Sequence, residues 1–262
     1  MMSTNPYAAP KTQVADLPEH MAEGRFIAEG RKRPAGSGWQ WIKSARALTK
    51  TRQLLWIGMF IVFAVISMGV GAIPEIGSLA LTFLMPVLFG GVMLTCDKAY
   101  RGGEIEFGDF FSGFRKHILK LAGIGLVTLL AYVAIFLIIA AIFGAASALV
   151  LSGIESPLSS DPALAAGILI ATLVLLGLSV PLYMAVWFSY ALVTINDMPV
   201  LKSMKTSFAG CMKNMGAFLV YGLIMFFLAL AASLPIFLGW LILGPILFAT
   251  FYTGYRDIFY ET

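Results

Sequence analysis

Met198–Lys213 reads MPVLKSMKTSFAGCMK, and Met215–Gly254 behind it reads MGAFLVYGLIMFFLALAASLPIFLGWLILGPILFATFYTG, forty residues without a charged side chain. A helix rises about 1.5 Å per residue, so this run would measure roughly 60 Å, twice the hydrocarbon core of a bilayer. It must fold back, and Ser233-Leu234-Pro235 at its middle predicts the turn. The preceding stretch is amphipathic as a helix. Val200, Leu201, Met204, Phe208 and Cys211 share one face, with Lys202, Lys205 and Lys213 opposite. The unit is a basic surface helix followed by a membrane hairpin.

Working outward, the same unit recurs twice. Trp39–Lys50 gathers Trp41, Ile42, Ala45 and Leu48 against Lys43, Arg46 and Lys50, and Trp39 and Trp41 are residues of the membrane interface. Phe107–Leu119 sets Phe107, Phe110, Phe111, Phe114 and Ile118 against Asp109, Ser112 and Lys116. Six spans follow from the apolar runs, at about 54–73, 76–96, 121–151, 163–195, 215–233 and 235–254. Spans three and four exceed the roughly 20 residues that a bilayer needs, and are expected to project beyond it at the loop Ser152–Pro162. Each even span carries a proline in a similar setting, Pro86, Pro181 or Pro245, and ends near an acid, Asp97, Asp197 or Asp257. Lys120-Leu121-Ala122-Gly123 also matches Lys213-Asn214-Met215-Gly216. The predicted fold is an all-α integral membrane protein, six transmembrane helices in three hairpins, each preceded by an amphipathic interfacial helix. Residues 1–38, with Asn5-Pro6-Tyr7-Ala8-Ala9-Pro10 and Arg31-Lys32-Arg33, show no helix or strand period and are expected to form a disordered arm.

Composition agrees. Hydrophobic residues make up 59% and charged residues 12% of the chain, against about 25% charged in ordinary globular proteins. Mean hydropathy is +0.87. A net charge of +4 could suggest nucleic acid, but the charges flank apolar spans, so anionic lipid is the expected partner. All 18 Lys and Arg fall on one side of the six spans, which predicts both termini cytoplasmic. The polar start predicts no cleavable signal peptide, and Cys96 and Cys211, at that same edge, are expected to stay thiols.

The chemistry is sparse. The spans hold no ionisable side chain away from their ends, which weighs against an ion-coupled pump. His20, His117 and the two cysteines are too dispersed for a metal set, and no phosphate loop or nucleophile elbow is present. No catalytic residue, cofactor or metal is expected. Asp97, Glu104, Glu106 and Asp109 could hold a cation, or could balance Lys98 and Arg101 and cap the next helix. The three prolines could mark a binding site or bend packing helices. Tyr132, Tyr183, Tyr190 and Tyr221 could line a polar path or anchor at the interface. Small residues at Ala141, Gly144, Ala145 and Ala148 suit close helix packing.

The N-terminal NPYAAP, Gly38-Trp39-Gln40-Trp41, Ser207-Phe208-Ala209-Gly210-Cys211 and Tyr255-Arg256-Asp257-Ile258-Phe259 together resemble an uncharacterised family of proteobacterial six-span membrane proteins. The surface-helix-then-span pattern is more distantly similar to the membrane domain of some glycerophosphodiester phosphodiesterases, whose catalytic barrel is absent here. The resemblance implies a bacterial inner membrane and carries no activity. The expected function is a non-enzymatic inner-membrane protein acting through lipid or protein contacts. The contacts would be made by Trp39, Trp41, Lys43, Arg46, Lys50, Arg115, Lys116, Lys202 and Lys205. The alternative is a permease or channel for an uncharged or lipidic solute.

Overall fold

The computed structural model describes residues 24–151 and 161–261. The NPYAAP motif and most of the expected Ser152–Pro162 loop lie outside the described residues, as do the side chains of Gly144, Ala145 and Ala148. The helices are α1 Ser37–Lys50, α2 Gln53–Gly71, α3 Ile76–Tyr100, α4 Ser112–Arg115, α5 Ile118–Leu151, α6 Asp161–Trp187, α7 Ser189–Thr194, α8 Val200–Lys213, α9 Met215–Ser233 and α10 Trp240–Phe259. A 3-10 turn, Phe107–Phe111, precedes α4.

Among the described residues five segments are long and apolar enough to cross a membrane: Gln53–Gly71, Ile76–Tyr100, Ile118–Ala141, Leu169–Thr194 and Met215–Ser233. The chain is a multi-pass membrane protein. The sixth expected span falls outside that set because α10 carries Tyr252, Tyr255, Arg256 and Asp257 in its second half. Its residues are instead buried among the other helices: Phe248, Ala249, Tyr252, Tyr255, Ile258 and Phe259 are each 2% exposed or less. Expected to begin at Pro235, it begins at Trp240. Leu234–Gly239 forms the turn, with Ile236 and Phe237 at positive φ, and a Cβ on Gly239 would run into the Ala232 backbone.

Packing follows the repeat around a ring. The 3-10 turn and α4 lie against α3, α8 lies against α6 and α7, and α1 closes the circle on α10 and α9. Thus each surface segment packs on the hairpin of the preceding unit, the first on the third. The even span of one unit also meets the odd span of the next: α3 packs closely with α5, and α10 with α2. Between α6 and α9 no comparable contact forms among the described residues.

Two expected elements differ. The second surface helix is not continuous. It breaks at Lys116, which is extended, and at His117, at positive φ. Its glycines explain the shape, since a Cβ on Gly113 would strike the Val87 carbonyl, and one on Gly91 the Phe110 carbonyl. Backbone lies on backbone there, and the chain must turn sharply to enter α5. Span four is likewise two helices, α6 and α7, parted at Phe188. The bond that Phe188 N–H would make to the Met184 carbonyl is intercepted by Ser207 of α8, whose Oγ accepts from Phe188 N at 2.9 Å and donates to Met184 O at 2.7 Å. An inserted hydroxyl is a recognised cause of a helix break.

Candidate functional site: the basic end and the cleft beside it

The end of the bundle that carries the Lys and Arg residues is tied together by the three exit acids. Asp97 accepts from Tyr252 OH at 2.9 Å and pairs with Arg101 at 2.8 Å. Asp197 pairs with Lys120 at 2.6 Å and His117 at 3.0 Å. Asp257 pairs with Arg33 at 2.7 Å and accepts from Trp41 Nε1 at 2.8 Å. The hydrogen bond from Lys120, with its charge, holds the Asp197 carboxyl below the usual carboxylate range. Between these pairs lies a knot of polar aromatics. Tyr255 OH donates to Asn196 Oδ1, Tyr255 and Tyr260 hydroxyls are 3.1 Å apart, and Arg256 lies over the Tyr100 and Tyr260 rings, 4.6 and 4.0 Å from their centroids. A guanidinium buried between ring faces is stabilised by cation–π attraction.

The expectation of disorder to residue 38 does not hold for residues 24–36. They run beside the C-terminal segment, with Ile27 N donating to Phe259 O and Arg31 N to Ile258 O, both at 2.8 Å, and Phe26 bridging antiparallel to Tyr260. Buried Asn214 anchors them: its Oδ1 accepts from Arg33 N at 2.6 Å and its Nδ2 donates to Arg31 O at 2.9 Å. Lys213 Nζ donates to Glu29 O at 2.7 Å. Backbone hydrogen bonding of this kind has no sequence period, so the sequence does not reveal that Asn214 holds the arm.

The residues expected to touch lipid divide into two groups. Lys43, Lys50, Arg115, Lys116, Lys202 and Lys205 are exposed, Trp39 is 44% exposed, and Arg46 is half-buried with a bond to Gln53 Oε1 at 3.2 Å. Trp41 does not belong with them. It is buried against Phe218 and Tyr221, and Thr253 donates to its carbonyl. The stripe expected in the membrane surface is packed on α9 and α10, because Gly38 admits α9 closely: a Cβ there would meet the Ala217 carbonyl. On α8 the buried set is Ser203, Met204, Ser207, Gly210 and Cys211, while Leu201, Phe208 and Met212 face outward beside the lysines.

The acid cluster caps and balances, as one of its two readings has it. Glu106 and Asp109 form a reciprocal capping box, Lys98 pairs with Asp109 at 2.9 Å, and Arg52 with Glu104 at 2.8 Å. Burial pushes the Asp109 carboxyl up, but the Glu106 N–H and the Lys98 ammonium outweigh it and hold it below the usual range. Among the described residues no group of three or more His, Cys, Asp or Glu could hold a metal. Burial lifts the Cys211 thiol to about 12, so it stays protonated at neutral pH, and Cys96 is also a buried free thiol.

Pro86 and Pro245 are buried and Pro181 is exposed. Pro86 leaves the Thr82 carbonyl without its helical donor, and Gly125 of α5 lies so close to that carbonyl that a Cβ would strike it. Here the proline serves packing. Pro181 lies beside the gap between α6 and α9. An almost wholly apolar cavity of about 620 Å³ fills that gap, lined by Val180, Met184 and Trp187 of α6, Cys211 of α8, and Gly216 and Leu219 of α9. A smaller cavity of about 170 Å³ lies between α5 and the α6–α7 region, lined by Thr128, Tyr132, Tyr183 and Tyr190 among others. Tyr221 is in neither; its hydroxyl is 2.8 Å from Thr250 Oγ1 inside the core.

The chain is similar to a curated Burkholderia thailandensis protein named a probable inner membrane protein, 28% identical over 207 residues, or 76% of each chain. No family model matches the chain. No solved structure matches it either.

Proposed function

We propose that the chain is a six-span bacterial inner-membrane protein with both termini cytoplasmic, acting without catalysis through lipid and protein contacts at its basic rim. In this reading α10 is the sixth span, and α1, α8 and the segment around α4 lie along the cytoplasmic leaflet. The partition of basic residues and the inner-membrane name of the Burkholderia relative support the location. One observation carries the function. At the basic end Asp97, Glu104, Asp109, Asp197 and Asp257 are each paired with a cation of the same end, whereas Lys43, Lys50, Arg115, Lys116, Lys202 and Lys205 face outward. The rim is left positive toward its surroundings, which suits anionic lipid or an acidic protein surface. Each basic residue close to an anionic leaflet contributes on the order of 1 kcal/mol, less at high salt.

Replacing Lys43, Arg46, Lys202 and Lys205 by Gln tests it. Insertion and topology are retained, read from an impermeant thiol reagent that spares a cysteine at exposed Ala47 and labels one at Ser159, in a background lacking Cys96 and Cys211. Copurifying anionic lipid or acidic partner falls. Unchanged copurification across a range of salt would reduce the charges to orientation signals. A permease for an uncharged or lipidic solute is the second reading, favoured by the tyrosine and threonine lining of the Thr128–Tyr132–Tyr183–Tyr190 cavity between α5 and the α6–α7 region.

A further inference from the structure

We propose that the cleft between α6, α8 and α9 binds one acyl chain of an anionic phospholipid, whose headgroup sits at the corner made by Lys32 and Lys213. This deepens the lipid-contact reading above and rests on it. The cleft opens on the outside of the bundle, where Val180 and Leu219 are 56% and 74% exposed, so in a bilayer it faces hydrocarbon. Its lining offers almost no polar group to water. The two equivalent seams of the repeat are closed, α5 on α3 and α2 on α10, and only here, among the described residues, does the odd span stand off the even one.

Lining and access decide what can fill it. The cleft of about 620 Å³ is walled by Val180, Met184, Trp187, Phe218 and Leu219 and lies open to the surrounding hydrocarbon, so a flexible acyl chain enters it without leaving an apolar medium. Charge decides the head. Met215 and Gly216 line the cleft at the start of α9, directly after Lys213 and Asn214. Asn214 fixes Arg31 and Arg33 at that corner and so places Lys32 between them; Ala35 follows, its Cβ 3.6 Å from where a Cβ on Gly216 would stand. Lys32 and Lys213 are both exposed there. Cations at the mouth and hydrocarbon within are the complement of an anionic diacyl lipid. The Arg-Lys-Arg cluster of the arm thereby gains a place in a site.

The test uses the full-length protein in phosphatidylcholine vesicles containing phosphatidylglycerol with a diazirine on one acyl chain. After photolysis, adducts concentrate on Tyr183–Trp187 and Met215–Leu219 above the remaining lipid-facing surface. Gly216→Leu puts bulk into the cleft where only Ala35 stands near, and it removes these adducts while labelling of α2 continues, which shows the fold intact. Lys32→Gln lowers cleft labelling by the glycerol lipid about fivefold, the equivalent of one basic contact at an anionic surface. It leaves the weaker labelling by a diazirine phosphatidylcholine unchanged. The four glutamine substitutions on α1 and α8 leave cleft labelling in place, so the collar and the cleft can fail separately. Even labelling around the perimeter, no effect of Gly216→Leu, equal labelling by the choline lipid, or a cross-link to a second chain in the cleft would each overturn the proposal.

Discussion

The α3–α5 seam and the α6–α9 seam hold the same place in the repeat, between the even span of one unit and the odd span of the next, and they are built oppositely. In the first, Gly125 brings the α5 backbone onto the Thr82 carbonyl. In the second, counting from the matched lysines Lys120 and Lys213, the position of Gly125 is taken by Phe218. Counting back from the prolines, the position of Thr82 is taken by Gly177, which has no neighbour for an added Cβ. Phe218 packs edge-on against Trp187, 5.6 Å between centroids, and holds α9 off α6. The repeat therefore sets the order of the helices, while the residues at two registers decide which seams close. With lipid as solvent, helices associate through close packing at small residues, so a phenylalanine where the closed seam has a glycine favours a cleft.

The largest effect that would break this contrast comes from adding the same side chain to both seams. Gly125→Val forces bulk onto backbone, and overpacking costs about 1–3 kcal/mol, with the upper end expected here. Gly177→Val meets open space and should stay within about 0.5 kcal/mol of the parent. Thermal unfolding in detergent, followed by tryptophan fluorescence, reads both; equal losses would mean that the seams do not differ. Ser207→Ala sharpens the contrast on α8, one helical turn from Cys211 of the cleft wall. It leaves the Phe188 N–H without its buried acceptor, and a loss of about 1–3 kcal/mol is expected by the same measurement. A value near zero would show that α6 and α7 rejoin into one helix.

The smallest effect is on pH. The Asp109 carboxyl is held below its usual range by the Glu106 N–H and Lys98, against the pull of burial. Its contribution is therefore complete above about pH 4, the ordinary aspartate value, and is lost as pH falls through the lower native one. The unfolding temperature should drop as pH falls below about 4, the ordinary aspartate value, in the parent and less in Asp109→Asn. Identical profiles would free the closed side of the ring from this clamp.

Most of the helices were legible because forty uncharged residues and lysines at Lys202 and Lys205 leave few alternatives. The face of α1 was not. An apolar stripe of Trp41, Ile42 and Ala45 is the same in sequence whether it meets lipid or protein, and only Gly38 hints at the close approach of α9. The break in the second surface segment was hidden for a similar reason, since phenylalanines at helical spacing persist through a 3-10 turn. Of the candidate site, the exposed cations could be read from the pattern. The cleft could not, because it depends on comparing Phe218 with Gly125 in three dimensions.

The bond between Trp41 and Asp257 spans 216 residues. Ribosomes add about 5–20 residues per second, so α1 leaves the ribosome roughly 10–40 s before the helix that will cover it. Through that interval its apolar stripe has no protein partner, and the bilayer surface is the nearest apolar medium. On the proposed topology one amphipathic helix would meet two environments in succession, lipid during synthesis and α10 at its end, and the passage between them would close the ring.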